Sequence, residues 1–413
     1  MSKKCNAPPV QSGSMSKLIE ERLQKRRQFL QMGITGIGLF ATGLFSPAGI
    51  AASRHEGAGA FRTVSSFGPL QAPDENGIML PPGFRSRIVA RSSDRVVANS
   101  DYVWHASPDG GACFAAEDGG WIYVSNSEES NGKGGVGALR FNANGRVIDA
   151  YSILAETSRN CAGGATPWGT WLSCEEFDQG QVWECDPTGE QAPRLRKMLG
   201  AFSHEAAAVD LHNDCIYLTE DVPDGGLYRY VSEGGLPDLE NGILEVAVKT
   251  DSEDGEFLHW HRVEDPSAEL VPTRYQVADS AEFDGGEGIA VYDGKVYFVT
   301  KGDNRIWCYD TATQRIDILY DAENHPDPIL TGVDNMLITP RGDVLVAEDG
   351  GDMQIVALTP DRRLLPLLQI VDQDRSEICG PAFDPSFQRM YFSSQNGKTG
   401  RGEDGITYEI SAR

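Results

Sequence analysis

No two cysteines in this sequence are separated by two residues, and no Cys/His spacing of the zinc-ligand kind occurs, so a structural zinc site has no support. A G-x-S-x-G string is also absent, as is a glycine-rich loop leading into a helical pattern, which removes serine-hydrolase and nucleotide-triphosphatase readings. Long amphipathic runs are almost lacking after residue 60, and a helical bundle is excluded. Basic charge is scarce, with 36 Lys+Arg against 61 Asp+Glu in 413 residues and a net charge of -25. Residues 1–51 hold seven of the basic residues and two glutamates, leaving 29 basic against 59 acidic residues, a net of -30, for the rest. Such a surface repels nucleic acid, so no nucleic-acid binding is expected, and it attracts cations. Present in quantity are 46 Gly and 22 Pro beside 40% hydrophobic residues, a composition of many short strands and turns around a core, not of a disordered chain.

Residues 1–51 read as an export address. Lys25-Arg26-Arg27-Gln28-Phe29-Leu30-Gln31 is a twin-arginine element, followed by an apolar stretch from Met32 to Phe45 that four glycines interrupt, and by small residues around Ala48 to Ala52 that suit a signal peptidase. The stretch is shorter than the roughly 20 residues that span a bilayer, which disfavours a membrane anchor. The expectation is export by the twin-arginine translocase to the periplasm or beyond, of a protein that is not integral to the membrane and is a monomer. That route carries folded proteins, often loaded with a metal or cofactor. Cys5 falls in the removed segment and seven cysteines remain, an odd number that leaves at least one thiol free, intermolecular or metal-bound.

From residue 52 the chain repeats one phrase six times: a turn, a short apolar strand, a polar or acidic cluster, and another apolar strand. The six begin at Gly120, Gly169, Asp214, Gly294, Gly342 and Arg389. Upstream of five of them lies a further short strand, in Asn160-CAGGATP, Ser203-HEAAAVD, Gly286-EGIAVYD, Val333-DNMLITP and Ile378-CGPAFDP. Cys161 to Glu205 is 44 residues, Glu287 to Asp334 is 47 and Asp334 to Cys379 is 45, while an insertion over 231–283 stretches Glu205 to Glu287 to 82. The period is that of a four-stranded blade, so the fold expected is an all-β, six-bladed β-propeller over residues 52–413, with a β-sandwich or barrel as the alternative. Part of residues 52–100 should help close the ring.

In a propeller the innermost strands surround a central channel and their first residues converge. Here those residues are Cys161, His204-Glu205, Glu287, Asp334-Asn335 and Glu377 to Cys379. The strand-end clusters add Asn126 to Glu129, Cys174 to Glu176, Thr219 to Asp221, Lys301 to Asn304 and Glu348-Asp349. So many carboxylates cannot converge without cations, since like charges and burial both oppose ionisation. Oxygen ligands in that number favour calcium, and a thiolate beside them asks for a softer transition metal. Taken alone, His204 reads as a core histidine and His259-Trp260-His261 as a surface strand in the insertion.

The string Asn160-Cys161-Ala-Gly-Gly-Ala-Thr-Pro167-Trp168-Gly-Thr-Trp171-Leu-Ser-Cys174-Glu175-Glu176 resembles the signature of the PhoX alkaline phosphatase family, and Cys379-Gly-Pro-Ala-Phe-Asp-Pro385 agrees with it. The resemblance covers about residues 60–413. It implies twin-arginine export, a six-bladed propeller, and calcium (Ca2+) with ferric iron (Fe3+) in the channel, where a small phosphate ester is hydrolysed. By the same resemblance Cys161 is an iron ligand, Glu176, Glu205 and Glu287 are metal ligands with Asp334 and Glu348 as further members, and Asn126 contacts phosphate. Glu175 and Glu220 sit at the right phase without an assigned metal.

Two departures stand out. Longer members of the family have a phosphate-binding arginine two residues before the fourth-blade glutamate, where this chain has Gly285, and a His-Pro-Gly where it has Gln395-Asn396-Gly397. Lys301 or Arg305 could supply the missing charge, though a lysine does not reproduce a guanidinium's paired geometry. Lys301 is therefore set beside Asn126 as a catalytic candidate. The alternatives to a metal-assisted phosphatase are a calcium-dependent propeller esterase or lactonase and a non-catalytic binding propeller.

Overall fold

The computed structural model describes residues 59–413, and the twin-arginine element, the apolar stretch and the start of the expected domain at 52 lie outside them. Among the described residues there is no α-helix, only three short 3-10 turns, and no helix long and apolar enough to cross a membrane. The strands form five antiparallel sheets. Three hold four strands, one holds five through the short addition Ile78–Met79, and one holds nine.

The nine-stranded sheet is two four-stranded groups joined by one strand. Gly242–Ser252 is the outer strand of the first group, Gly255–Arg262 folds back on it, and the pairs Glu256↔Ile316 and Phe257↔Arg315 tie it to the outer strand of the second group. This is the expected insertion, and His259 and His261 lie on that exposed strand with Trp260 between them, its indole N–H donating to the Tyr309 hydroxyl at 2.9 Å.

Neighbouring sheets stack face to face, and six hydrophobic clusters fill the spaces between them in an unbroken circuit. Ile122 and Val124 meet Trp171, and Leu172 meets Ile216 and Leu218. Tyr217 meets Phe298 and Trp307, and Val299 and Ile306 meet Val344 and Val346. Leu345 and Ile355 meet Phe392 and Tyr408, and Tyr391 returns to Trp121 and Phe141. A strand packed on both faces needs apolar side chains on both, which is why Trp121–Ser127, Cys215–Glu220 and Val344–Glu348 are buried throughout and read as continuous runs, not alternations.

Six innermost strands line the axis: Pro108–Ala115, Asn160–Ala165, His204–Asp210, Gly286–Tyr292, Val333–Ile338 and Ile378–Phe383. Each neighbours the next, and the last neighbours the first. Their approach is close enough to require glycine, since a Cβ on Gly164 would sit 1.9 Å from the Ala207 carbonyl oxygen and one on Gly380 2.5 Å from that of Asp109. The circuit is closed by sequence-distant partners, Phe84–Arg91 adding as the outer strand to Ile406–Ala412. The architecture is all-β and propeller-like, as expected from the repeat. Five inner strands match the segments read from the sequence, and the sixth, Pro108–Ala115, begins Pro-Asp-Gly-Gly, a string with the chemistry of a turn.

Candidate metal centre

Every inner strand breaks register near its start. The slips lie between Pro108 and Gly111, Asn160 and Gly163, His204 and Ala207, Gly286 and Ile289, Val333 and Met336, and Cys379 and Ala382. A bulge re-aims the residue it contains. The second residues of the six strands are Asp109, Cys161, Glu205, Glu287, Asp334 and Cys379, and they fall into groups whose ligand atoms lie within 4.8 Å of one another. Asp109 and Cys161 group with Glu128, Asp109 and Cys379 with Glu377, and Glu205 with Glu287 and Asp334.

A second tier follows from the pairing. The first residue of each inner strand pairs with Ser127, Glu175, Glu220, Thr300, Glu348 or Ser394, and the next residue in the chain is Glu128, Glu176, Asp221, Lys301, Asp349 or Gln395. The backbone N–H of each of these six donates to the carbonyl of the residue two before the inner-strand ligand: Ser107, Arg159, Ser203, Gly285, Gly332 and Glu377, at 2.7 to 3.1 Å. One local geometry, repeated six times, thus sets twelve side chains at one mouth of the channel.

The polar contacts within this array are few for its charge. Gln395 Nε2 donates to Asp109 Oδ2 at 2.7 Å and to Glu128 Oε2 at 2.8 Å, and the Cys161 thiol lies 3.6 Å from Asp109 Oδ2. Lys301 pairs closely with Asp349 and stands 3.7 Å from Glu287 Oε1. Arg159 Nη2 meets Glu176 Oε2 at 2.7 Å, and its Nε is 3.5 Å from Glu128 Oε1. Glu205 Oε1 and Glu287 Oε1 are buried without a hydrogen-bond partner. Burial, then the neighbouring carboxylates, push Asp109, Glu205 and Glu287 well above the carboxylate range, and Glu176 up to about 8 by burial and Glu128 against the pull of Arg159. Burial also raises Asp334 to about 6 although Lys301 opposes it, and burial beside Asp109 and Glu205 raises the Cys161 thiol. A cation would reverse each of these shifts, and the cluster of Glu205, Glu287 and Asp334 offers the oxygen donors that suit a hard one.

Residues 140–397, more than half of the sequence, match the family alkaline phosphatase PhoX. The chain belongs to that family. Membership makes it a phosphoric ester hydrolase of the metal-dependent alkaline phosphatase type and decides against the esterase, lactonase and binding-module alternatives. The structure of Pseudomonas fluorescens PhoX in complex with vanadate, a transition state analogue, aligns with a TM-score of 0.72 at 16% identity, over 84% of this chain and 97% of that one. A Bacteroides thetaiotaomicron protein of unknown function aligns at 0.51 and 8% identity, over 84% of each chain. At these identities the likeness concerns the fold. No curated protein matches the sequence.

Set against the family signature, the structure brings Cys161, Glu176, Glu205, Glu287, Asp334 and Lys301 to the one mouth. Glu348 does not join them. Its two oxygens accept from the Thr331 and Gln354 N–H groups at 2.9 and 3.0 Å, and Glu175 accepts in the same way from Ser158 and Gln181. Glu220 accepts from Gly226, Tyr228 and Arg274. Glu175 and Glu348 thus brace the loop ahead of the inner strand each pairs with, Glu220 braces the turn that follows its own strand, and the residue after each is the one in the second tier. Asn126 is likewise committed to the wall: its NH2 donates to the Cys161 and Ala162 carbonyls at 3.0 and 2.7 Å, and its oxygen accepts from Trp171 Nε1 and Ser173 Oγ. All four of its hydrogen bonds are used, which fits a residue that positions Cys161 and not one that contacts phosphate. Arg305 is held by Asp303 and Asp321, neither of which belongs to the array. His204 is a buried core histidine stacked on Phe202, lowered to about 3 by burial.

Sequence reasoning missed Asp109 and Arg159, and met Gln395 only as part of a departure from the family string. The first hides in a turn-like string. Arg159 carries no metal-ligand chemistry and Gln395 only a neutral amide, and their place becomes visible only once the repeat is aligned at the strand starts.

Proposed function

We propose that residues 52–413 form a six-bladed propeller that, after twin-arginine export to the periplasm or beyond, hydrolyses small phosphate monoesters as a monomer with Ca2+ and Fe3+ at the described mouth. Six inner strands and six inter-sheet clusters support the blade number, the nine-stranded sheet counting as two blades joined by the insertion. The observation that carries the metal centre is the pair of buried oxygens on Glu205 and Glu287 that lack a hydrogen bond, in one cluster with Asp334 and with Lys301 3.7 Å from Glu287.

Glu205, Glu287 and Asp334 are oxygen ligands suited to calcium, and Cys161 with Asp109 and Glu128 supplies the mixed thiolate and carboxylate set that suits iron, with Glu176 added by the family resemblance. Cations held by these residues would supply neutralisation of the charge on the phosphoryl oxygens and a lowered pKa for a bound water. The chain's own residues prepare the place. Gln395 holds Asp109 and Glu128 in fixed orientation through one amide group, Asn126 fixes the strand that carries Cys161, and Lys301 balances Glu287 and Asp349.

Elemental analysis of the exported protein, paired with p-nitrophenyl phosphate hydrolysis before and after calcium chelation, tests this reading. Iron and calcium with chelator-sensitive hydrolysis support it. Calcium without iron, or hydrolysis indifferent to the chelator, overturns the assignment of metals.

A further inference from the structure

Among the described residues two cations form salt bridges with carboxylates of the mouth, one of them, Lys301, itself a member of the twelve, and they differ in kind. Lys301 is wedged between Glu287 and Asp349. Arg159 spans Glu128 and Glu176 with two of its nitrogens, while its side chain stays 41% exposed. A guanidinium has five N–H donors, so two such contacts leave others available.

Its place in the repeat is more telling than its contacts. Arg159 is one of the six residues whose carbonyls accept the second-tier N–H groups. The others are Ser107, Ser203, Gly285, Gly332 and Glu377, so at this position the ring carries only one basic side chain. Four of the six have positive φ: Ser107 at 46°, Arg159 at 49°, Gly285 at 68° and Gly332 at 60°. A branched-off side chain in that region costs about 1 kcal/mol relative to glycine, and such positions gather at functional sites. Arg159 is nonetheless locked there from both sides, its N–H donating to Glu129 at 2.8 Å and its carbonyl accepting from Glu176 at 2.8 Å. Gly285, at the equivalent position two repeats on, leaves the space near Asp221 and Lys301 without a side chain.

We propose that Arg159 is the phosphate-binding guanidinium of this protein, donating paired hydrogen bonds to non-bridging phosphoryl oxygens of the ester at the mouth. The proposal rests on the phosphatase reading. An acidic channel disfavours an anionic substrate, and a charged fork fixed by its backbone beside Cys161 is suited to recognise one oxygen pair, which a lysine does not match.

The test is calorimetric titration of inorganic phosphate into the metal-loaded protein, with metal content measured for every variant. Arg159→Ala should weaken phosphate binding about ten- to a hundredfold at unchanged metal content and raise KM for p-nitrophenyl phosphate in parallel, with added guanidinium ion restoring part of the loss. Arg159→Lys, which keeps the charge and the ion pairs, should still bind phosphate several-fold more weakly than wild type, and it decides the matter if the alanine variant does not fold. Wild-type phosphate affinity in Arg159→Lys and Arg159→Ala overturns the proposal. Loss of metal in either variant also overturns it, since Arg159 would then serve only to balance Glu128 and Glu176. Wild-type protein that neither binds phosphate nor hydrolyses the ester instead removes the phosphatase reading itself.

Discussion

The Cys161 thiol and the Asp109 carboxylate, 52 residues apart in the chain, lie 3.6 Å from each other across neighbouring inner strands. Asp109 also belongs to the group containing Cys379 and Glu377, so one carboxylate stands between two thiols. Cys161→Ser should lose iron and the thiolate-to-metal absorption with the fold retained. Asp109→Asn should lose metal comparably, because each of its groups depends on the same two oxygens. Full iron content in Asp109→Asn, read by elemental analysis, would show that Cys161 holds its metal without Asp109.

Glu287 and Glu348 occupy the inner tier and the bracing position, and they should respond differently to the same change. Glu287→Gln is expected to reduce metal content at little cost to folding. Glu348→Gln should keep its metal but lose about 1–3 kcal/mol of stability, since an amide NH2 cannot accept from the backbone N–H that one carboxylate oxygen now serves. Urea unfolding and elemental analysis on both variants separate the roles, and equal metal loss in both would refute the bracing assignment.

Asn126→Ala removes the partner of two buried carbonyls, an indole N–H and a serine hydroxyl. Its expected cost is about 2–4 kcal/mol in urea unfolding, with a fall in metal content because the strand carrying Cys161 is no longer held. Normal stability with a raised KM alone would instead return Asn126 to contact with substrate.

The metal-free protein should be less stable at pH 8 than at pH 5. Burial raises Glu176 from 4.5 to about 8 and Asp334 from 3.8 to about 6 in the folded chain. Over that interval the folded state binds more protons than the unfolded one, so the stability linked to these groups is complete below their unfolded pKa values and is lost as pH rises through the folded ones. Bound cations favour the ionised forms and should flatten or reverse the trend. Thermal unfolding across pH 5–8, with and without a chelator, measures this. A chelated protein whose melting temperature rises with pH over that range would contradict it.

Gly164→Ala should be destabilising by about 3 kcal/mol or more, because its Cβ would lie 1.9 Å from a backbone oxygen of the next inner strand and backbone cannot step aside as a flexible side chain can. Gly169→Ala, where nothing lies within 4 Å but φ is +88°, should cost only about 1 kcal/mol. Similar urea midpoints for the two variants would argue against the close packing of inner strands.

Much of the site was legible because the repeat places like residues at like phases. Cys161, Glu205, Glu287 and Asp334 each follow the first residue of an inner strand by one, and a period of 44 to 47 residues, broken once by the insertion between Glu205 and Glu287, exposes them to counting. Glu348 misled the count by one residue. Its neighbour Asp349 occupies the second tier, and nothing in an acidic pair says which member turns toward the channel and which accepts backbone N–H groups.

The sequence by itself determined the strand-rich class, the six-fold repeat and the run of carboxylates that demands cations, because burial on both faces and a fixed period both leave their mark on residue type and spacing. The tertiary structure alone decided which side chains meet. Pairing register and a bulge at the head of each inner strand turn Asp109 inward from a turn-like string, commit Asn126 and Glu348 to the wall, and set Arg159 where other repeats carry glycine, serine or glutamate. Those outcomes depend on contacts between strands far apart in the chain, and a one-residue change of register would reverse them without altering a single residue.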